Sequence, residues 1–393
     1  MKKSLVFIHD SLPAEGISGR VVFLRHFLAL KDWDIHIVIP EYAFNQEITD
    51  HYPENFFVHT FPLRKRYWPP FSWSLSALVW YRNILWANEI NKLLKGVSPV
   101  AVIGVLSSVF SITAANYAKK LNLSFIVFIH DNWLNSVEKD KKPIKKYATR
   151  VLNSAEKILP VTADLVSYFD TSFLKKTQVL LPVPCGHAGK ALWREEMKLS
   201  VNCLHVGTVN YHTPYIFDHL LNNVFDDSDQ LSVIYYDHPI LNPFLNYNNF
   251  KRIDFFDTSS MALDYAVNNC SALVLYYGLT LEENPYAIDS FPSRFVEFVH
   301  TGLPIICIAP QESSFYKFMQ KKEWPLLFTQ SDLPDLAESL KLLKLNYFWR
   351  YYSNLTIALS QNEFNPEKIH NSFLKSLTRP DAYAEAENPL QII

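Results

Sequence analysis

The sequence predicts an α/β protein of two domains, each built around a parallel β-sheet. Three observations lead to this fold class: the length of 393 residues, the alternation of short β-branched runs with helical patterns, and a break in that alternation near residue 200. At about 150 residues per domain, this length favours two domains over one. The composition is 49% hydrophobic and 19% charged, which is typical of a globular chain and excludes a disordered one.

The first half of the chain alternates strand-like and helix-like segments. SLVFIH at 4–9 predicts a strand, and GRVVFLRHFLAL at 19–30 carries apolar residues at helical spacing. Further strand-like runs stand at 34–39, 56–61, 101–105, 124–129 and 157–161. Such alternation is typical of parallel strands joined by crossover helices. We therefore predict a first domain over 1–182.

A stretch without clear periodicity, 183–200, predicts a linker, after which the alternation resumes. The next strand-like runs stand at 202–206, 231–236, 252–256, 272–277, 304–309 and 325–329. They predict a second domain over 201–345. The remaining residues, 346–393, have a helical pattern without a new strand, and we expect these helices to pack back on the first domain.

One uncharged stretch, 100–118, approaches the length of a membrane-spanning helix. Polar residues interrupt it: Ser107, Ser108, Ser111, Thr113 and Asn116. We therefore interpret VAVIGV as a buried strand, followed by a loop and a helix that ends at Lys119 and Lys120. The opening MKKSLVFIHDS has too few apolar residues for the core of a signal peptide. These features predict a cytoplasmic protein.

Charge is distributed unevenly along the chain. Residues 1–200 contain 25 Lys and Arg against 17 Asp and Glu, and the remainder contains 12 against 22. A basic first half and an acidic second half indicate two lobes with different partners. The four cysteines stand far apart without a CxxC pair, which argues against a structural zinc site or a disulfide framework.

The most informative segment is NPYAIDSFPSRFVEFVHTGLPIICIA at 284–309. Ser290 and Ser293 are candidate helix N-caps, and Pro292 suits a first helical position. The helix is expected to run through FVEFVH and to end at Gly302.

Three charged residues of this segment are the first candidates for chemistry. Asp289 lies in the loop before the predicted helix, Arg294 lies near the start of the helix, and Glu297 follows Asp289 by eight positions. Free backbone amides at a helix start, together with a guanidinium group, make a site for a phosphate or diphosphate.

The order D-x7-E, followed by a helix and G-L-P-I-I, resembles the C-terminal domain of GT-B glycosyltransferases of the glycogen-synthase-like, retaining type. The variant F-P-S-R-x-x-E-F is typical of bacterial members that build capsules, O-antigens and other surface glycans. The resemblance implies two Rossmann-like domains whose parallel sheets face across a cleft. It also implies transfer of a sugar from a nucleotide-sugar donor with retention of configuration, without a metal or another cofactor. In that family the residues matching Asp289, Glu297, and Arg294 with Ser293 contact the donor sugar, the ribose and the diphosphate respectively.

Two glycine-containing loops fit the same resemblance. EGISGR at 15–20 would bring Gly16, Gly19 and Arg20 close to the donor phosphate or the acceptor, although a plain turn explains it equally well. HVGTVN at 205–210 resembles a V-G loop whose amide faces the donor phosphates, which assigns Gly207 and Thr208 to the donor.

The second loop departs from the family pattern. Many members carry Arg and Lys shortly after the glycine, whereas this chain has Asn210, Tyr211 and His212. Arg294, with Arg20, is then the remaining cation for the diphosphate. The departure leaves a catalytically silent relative as an open alternative.

Polar residues at the ends of two predicted strands are further candidates. FIHDNW at 128–133 places His130 and Asp131 after a buried strand, and the resemblance implies that such a histidine contacts the donor sugar near the reacting carbon. A purely structural role explains His130 as well. His9 and Asp10, after the first strand, are candidates to face the acceptor.

Metal-binding signals are weak in this sequence. Asp32 and Asp34 spell a DxD motif, but they precede a predicted strand and therefore lie at the wrong edge of the sheet. No HExxH, GxSxG or P-loop sequence is present. We predict no bound metal.

Basic and aromatic residues are interleaved in 62–95, and a second basic cluster spans 139–150. Basic residues beside exposed aromatic rings suit a peripheral contact with anionic lipid headgroups at the inner face of the cell membrane. That contact would give access to a polyprenyl-linked acceptor, which the resemblance also implies. An aromatic helix packed inside the domain, with a solvated lysine run, is the alternative. We do not expect nucleic-acid binding, because no recognition motif accompanies these residues.

The sequence therefore favours a glycosyltransferase that moves a sugar from a nucleotide-sugar donor to a glycan or lipid-linked acceptor. Two alternatives stay open: a nucleotide-sugar epimerase of the same two-domain fold, and a non-catalytic binding subunit. The epimerase would recruit His9, Asp10, His130 and Asp131 as acid–base groups.

Overall fold

The computed structural model describes residues 2–15, 18–62, 75–107, 109–132, 141–185, 190–207, 209, 212–235 and 239–377, with backbone alone at 18, 75–82 and 141–143. The chain divides into two compact units. The first is Met1–Leu181 with Glu367–Ile393, and the second is Pro182–Pro366.

The first unit is built on a parallel sheet of six strands, in the order β3-β2-β1-β4-β5-β6. Its strands are β1 Lys3–Ile8, β2 Trp33–Pro40, β3 Phe56–Phe61, β4 Pro99–Val105, β5 Ser124–Ile129 and β6 Lys157–Pro160. Val6 on β1 lies opposite His36 on β2 and Val102 on β4. All six residues of β5 are buried, as expected for a parallel strand covered on both faces.

The helices of the first unit connect these strands. They are α1 Ser18–Leu28, α2 Gln46–Thr49, α3 Leu75–Leu93, α4 Phe110–Leu121, α5 Lys141–Ser154 and α6 Asp164–Ser167. The uncharged stretch at 100–118 therefore forms most of β4 and α4, as predicted. No helix in the described ranges is long and apolar enough to cross a membrane.

The second unit repeats the architecture, with strand order β12-β11-β10-β7-β8-β9 and parallel pairing throughout the described sheet. Its strands are β7 Asn202–Val206, β8 Gln230–Ile234, β9 Phe250–Ile253, β10 Ala272–Tyr276, β11 Ile305–Ile308 and β12 Leu327–Phe328. Its helices are α7 Thr213–His219, α8 Ser259–Asn269, α9 Ser293–Phe298, α10 Ser314–Lys321, α11 Leu336–Leu343 and α12 Asn346–Gln361. The prediction of two Rossmann-like α/β domains with parallel sheets is confirmed.

The segment 183–200 is an integral part of the second unit and not a separate linker. Trp193 packs edge-on against Trp349, with ring centroids 6.0 Å apart. Arg194 donates to the carbonyl of Cys270 at 3.0 Å. Side-chain contacts of this kind hold the described residues of this segment, which we call the strap, against the second unit.

The C-terminal helices are shared between the units. In α12, the hydroxyls of Ser353 and Thr356 donate to the carbonyls of Gly302 and Leu303 at 2.6 and 3.0 Å, so this helix belongs to the second unit. The expectation that all of 346–393 packs on the first domain is therefore wrong for α12. The helix α13, Pro366–Leu377, lies with the first unit, where the ring centroids of Phe373 and His26 are 4.8 Å apart.

Each sheet has one place where the strand order reverses. In the first unit it lies between β1 and β4, and in the second between β7 and β10. Ligands of open parallel sheets bind beyond the carboxyl ends of the strands at such a point. The fold therefore directs attention to the residues after Ile8, Val105, Val206 and Tyr276.

Candidate active site

The carboxyl end of β7 is closed by an arginine that reaches it from α9. Arg294 Nη1 donates to the carbonyl of Val206 at 2.9 Å. The guanidinium lies on the α-carbon of Gly207, where an added Cβ would stand 1.2 Å from Nη1. Gly207 also has a φ of +148°, which side-chain-bearing residues rarely adopt. This glycine is therefore required by both backbone conformation and space.

Arg294 is half-buried at this strand end. Burial lowers its pKa to about 10, so the group is still cationic at neutral pH. Burial and the positive charge of Arg294 lower the pKa of His205 to about 3. His205 is 1% exposed and is neutral at pH 7, so its ring adds no second charge beside the guanidinium.

The loop before α9 is tightly pinned. Asp289 is 3% exposed and follows a 3₁₀ turn at Pro285–Ile288. The hydroxyl of Ser290 lies 2.6 Å from the Tyr277 hydroxyl and donates to the carbonyl of Tyr286 at 2.6 Å. Asp289 is thus a rigidly placed carboxylate near the carboxyl end of β10.

The start of α9 differs from the prediction, whereas its end agrees with it. Pro292 occupies the N-cap position and Ser293 is the first helical residue, and no side-chain cap bond forms there. Ser290 instead bonds within its own loop. After a 3₁₀ turn at Val299–Thr301, the chain leaves the helix at Gly302 in a left-handed conformation, with φ of +69°.

Glu297 has a structural partner that sequence reasoning did not foresee. Its Oε2 accepts the backbone N–H of Cys185 at 2.9 Å. The bond ties α9 to the strap that begins the second unit. A carboxylate offers about four lone-pair sites, so this bond does not use up its capacity to accept.

A second acidic residue at this edge, Glu283, was also missed. Its Oε2 accepts the Tyr276 hydroxyl at 2.7 Å and the Leu279 N–H at 2.9 Å. Its Oε1 lies 3.8 Å from Nδ1 of His212, at the start of α7. His212, which stands where the resemblance predicts Arg or Lys, therefore lies beside a carboxylate. Glu283 has no local motif, since it is one of two adjacent glutamates in a loop.

In the first unit, His9 follows β1 and lies almost entirely inside the protein. It is 7% exposed and its ring stacks on Phe7 with centroids 5.6 Å apart. Its Nδ1 accepts the N–H of Ser11 at 3.2 Å and lies 2.9 Å from the Ser11 hydroxyl. Burial lowers the pKa of His9, and the carboxylate of Asp10, 3.2 Å from Nδ1, opposes that shift.

His130 lies beside the same aromatic cluster at the end of β5. Its ring meets Phe23 edge-on, with centroids 4.8 Å apart, and stacks on Phe128 at 5.9 Å. Burial and the neighbouring His9 lower its pKa to about 4. Its Nε2 is buried and has no hydrogen-bond partner within the described residues. Partial desolvation raises the pKa of the next residue, Asp131.

The remaining predicted residues of the glycine loops are placed as follows. Gly19 is in the first turn of α1, and an added Cβ would meet no described atom within 4 Å. Arg20 donates from Nε to the carbonyl of Leu12 at 2.5 Å, and burial lowers its pKa. Gly16 and Thr208 lie outside the described residues.

The structure thus unites some candidates and leaves others apart. Arg294 and Gly207 come into contact although they are 87 positions apart in sequence. Asp289 and Glu297 flank Arg294 on one continuous segment. His9 and His130 form a separate group in the first unit. Within the described ranges, no group of three or more His, Cys, Asp or Glu side chains is placed to hold a metal ion.

No protein-family model matches this sequence, and no curated protein matches it either. Solved structures do match its fold. The lipopolysaccharide outer core galactosyltransferase WaaB in its apo form is 14% identical over 95% of this chain and 99% of its own, with a TM-score of 0.61. HepE of Anabaena, in complex with UDP and glucose, is 11% identical over 95% and 99%, with a TM-score of 0.65. Sucrose-phosphate synthase from Thermosynechococcus elongatus is 12% identical over 98% and 99%, with a TM-score of 0.63.

These neighbours are GT-B glycosyltransferases, and the chain has the GT-B fold over nearly its whole length. The predicted resemblance is confirmed at the level of the fold.

Proposed function

We propose that this protein is a glycosyltransferase that moves a sugar from a nucleotide-sugar donor to a glycan or lipid-linked acceptor. The observation that carries the proposal is the guanidinium of Arg294 fixed against Gly207 at the end of β7. This is the strand end at which an open parallel sheet binds its ligand. The GT-B fold adds support, since two of the neighbours described above are named as a galactosyltransferase and as a UDP complex.

Arg294 would neutralise the diphosphate of the donor. A planar guanidinium matches phosphate oxygens better than a lysine does, and a site shielded from water strengthens the interaction. The charge that develops on the leaving diphosphate would be stabilised by a group already in place. The glycine amide of Gly207 would approach the same phosphates, because no side chain stands on its α-carbon.

Glu297 would accept the ribose hydroxyls while its other contact anchors Cys185. Asp289 would hydrogen-bond the transferred sugar from its rigid loop. We extend the proposal to retention of configuration and to a reaction without a metal, as the resemblance of the 289–306 segment implies. In the first unit, His130 would contact the donor sugar and Asp10 would face the acceptor.

The acceptor would belong to a bacterial surface glycan such as a capsule or an O-antigen, with the enzyme in the cytoplasm. A peripheral membrane contact is part of the proposal. Lys145, Lys146 and Arg150 on α5 are exposed and supply the basic side. Trp86, however, packs inside the first unit against Phe110, with ring centroids 5.2 Å apart. Most of the aromatic residues predicted for this contact, at 63–74, lie outside the described residues.

The donor class is tested by thermal shift with UDP, GDP, ADP, dTDP, CMP and NAD, and with their sugar conjugates. A ligand at 100 times its Kd adds about 2.7 kcal/mol to the free energy of unfolding, which raises the melting temperature measurably. We expect one nucleoside diphosphate and its sugar conjugate to stand out. A product formed from the donor alone would favour an epimerase, and donor binding without any turnover would favour a non-catalytic subunit.

Two variants separate the proposed roles. Glu297→Ala should weaken nucleotide binding, and Asp289→Ala should slow transfer while leaving nucleotide binding largely intact. Sugar transfer at the parental rate by both variants would refute the site assignment.

Co-sedimentation with vesicles containing anionic phospholipid tests the membrane contact, with neutral vesicles as the control.

A further inference from the structure

A hydroxyl group that the sequence analysis did not select lies at the strand-order reversal of the first sheet. Ser107 follows β4 by two residues and is exposed. Its Oγ lies 3.3 Å from Nε2 of His9, which follows the neighbouring strand β1. The two residues are 98 positions apart in sequence and meet only because β1 and β4 pair. The hydroxyl of an exposed serine therefore contacts a buried imidazole at this edge of the sheet.

The other contacts of the His9 ring indicate which atom donates in the hydrogen bond between His9 and Ser107. Nδ1 faces two donors of Ser11, its backbone N–H at 3.2 Å and its hydroxyl at 2.9 Å. Nδ1 also lies 3.3 Å from the carbonyl oxygen of Ser11 and 3.2 Å from Oδ1 of Asp10, so these contacts by themselves allow either tautomer. The N–H of Ser11 can only donate, and the Ser11 hydroxyl makes the shortest of the four contacts, which favours an unprotonated Nδ1 and a proton on Nε2. Nε2 then donates to the Oγ of Ser107. Because its oxygen accepts from His9, the Ser107 hydroxyl is left to donate its own proton outward.

A nucleophilic serine is a different interpretation of the same three residues, since Asp10 also lies 3.2 Å from Nδ1. That chemistry needs Nε2 as an acceptor and backbone amides that face the developing oxyanion. Here the N–H of Ser11 donates to Nδ1, which favours the opposite tautomer. The N–H of Ser107 is bonded to the carbonyl of Val105 at 2.9 Å, so it is not aimed at an oxyanion. The geometry supports binding of an oxygen atom and not acyl transfer.

We infer that Ser107 is a substrate-binding residue of the first unit, whose hydroxyl donates to an oxygen atom of the acceptor sugar. The relay runs from Ser11 through His9 to Ser107 and ends on that oxygen. A chain of donors polarises its last member, so the terminal hydroxyl is a stronger donor than an isolated serine. This inference rests on the proposed function, in which the first unit binds the acceptor.

The test uses the full chain with p-nitrophenyl α-D-glucoside and α-D-galactoside as acceptor probes. Ser107→Ala should lower kcat/KM for the acceptor by about threefold to tenfold, as expected for one neutral hydrogen bond, with the KM of the donor unchanged. Ser107→Thr keeps the hydroxyl and should restore most of that loss. Ser167→Ala is the matched control, since Ser167 is exposed in the same unit and its hydroxyl donates to Ala163 at 3.2 Å.

A second readout does not depend on transfer. In protein labelled with ¹⁵N-histidine, we expect the His9 signal to show a protonated Nε2 and to shift on addition of a probe glycoside. Ser107→Ala should abolish the ligand-induced shift. An unprotonated Nε2, or a His9 signal unmoved by either glycoside, would overturn the inference even in an active enzyme. Absence of transfer and of nucleotide binding, with the His9 shift intact, would instead overturn the proposed function and leave the Ser107 site standing.

Discussion

Replacing Gly207 by alanine tests the packing at the heart of the candidate donor site. The new Cβ would stand 1.2 Å from Nη1 and 1.9 Å from Cζ of Arg294, so the guanidinium has to leave. Its 2.9 Å bond to the carbonyl of Val206 is then lost. The substitution also forces a side-chain-bearing residue to adopt a φ of +148°.

The two costs can be estimated separately. An unfavourable backbone conformation costs about 1–3 kcal/mol. Loss of a hydrogen bond from a charged group costs about 1.5–3 kcal/mol. Together they predict a destabilisation of about 2.5–6 kcal/mol, which for a unit of this size lowers Tm by about 5–24 °C. Nucleotide binding should be lost as well, because the cation no longer faces the phosphates.

Calorimetric melting with and without the nucleotide measures both effects. Gly96→Ala is the matched control, since Gly96 has a φ of +92° but open space around its added Cβ. It isolates the backbone cost. In the double variant Gly207→Ala/Arg294→Ala the collision is absent, so its destabilisation should fall short of the sum of the single variants. A Gly207→Ala protein as stable as Gly96→Ala that still binds nucleotide would refute the seating of Arg294.

Three further outcomes are expected. Glu297→Gln keeps an acceptor for the Cys185 N–H and should retain the parental Tm while losing most nucleotide affinity, whereas Glu297→Ala should lose both; equal loss of Tm in the two variants would contradict this. Burial lowers the pKa of His26 to about 3, so the unfolded state binds more protons than the folded state below pH 6.5. The free energy of unfolding therefore decreases as the pH is lowered, by up to about 1.4 kcal/mol per pH unit. His26→Phe should make the dependence of Tm on pH between 6 and 4.5 shallower, while His130 and His205 keep contributing slopes of the same sign. An unchanged slope would show that His26 does not contribute to it. Brief iodoacetamide treatment of native protein should modify Cys185 alone, as mass spectrometry would reveal, because the other three cysteines are buried with raised pKa values: Cys203, Cys270 and Cys307.

The strands could be predicted because buried parallel strands are continuous apolar runs. SFIVFI at 124–129 became β5 without a change of boundary. The end of α9 was equally legible, since Gly302 adopts the left-handed conformation that a helix C-terminus favours. Its start was not, because Ser290 satisfied its hydroxyl within the loop and left Pro292 at the N-cap.

The contacts of the candidate site were beyond sequence reasoning for a different reason. The sequence motif selected Arg294, but its bond to Val206 joins residues 88 positions apart. Ser107 was noted only as an interruption of an apolar run, and its significance depends on the pairing of β1 with β4. Local patterns predict elements, whereas these contacts follow from the order of strands in the sheet.

We propose that the second unit binds a nucleoside diphosphate at Arg294 and Glu297. Isothermal titration calorimetry of the parental protein with UDP, and with any nucleotide that raises Tm more, tests it most directly. We expect one site per chain, a marked loss of affinity in Arg294→Ala, and no change in the exposed control Arg350→Ala. Absence of binding by every nucleotide, or parental affinity in Arg294→Ala, would contradict the account.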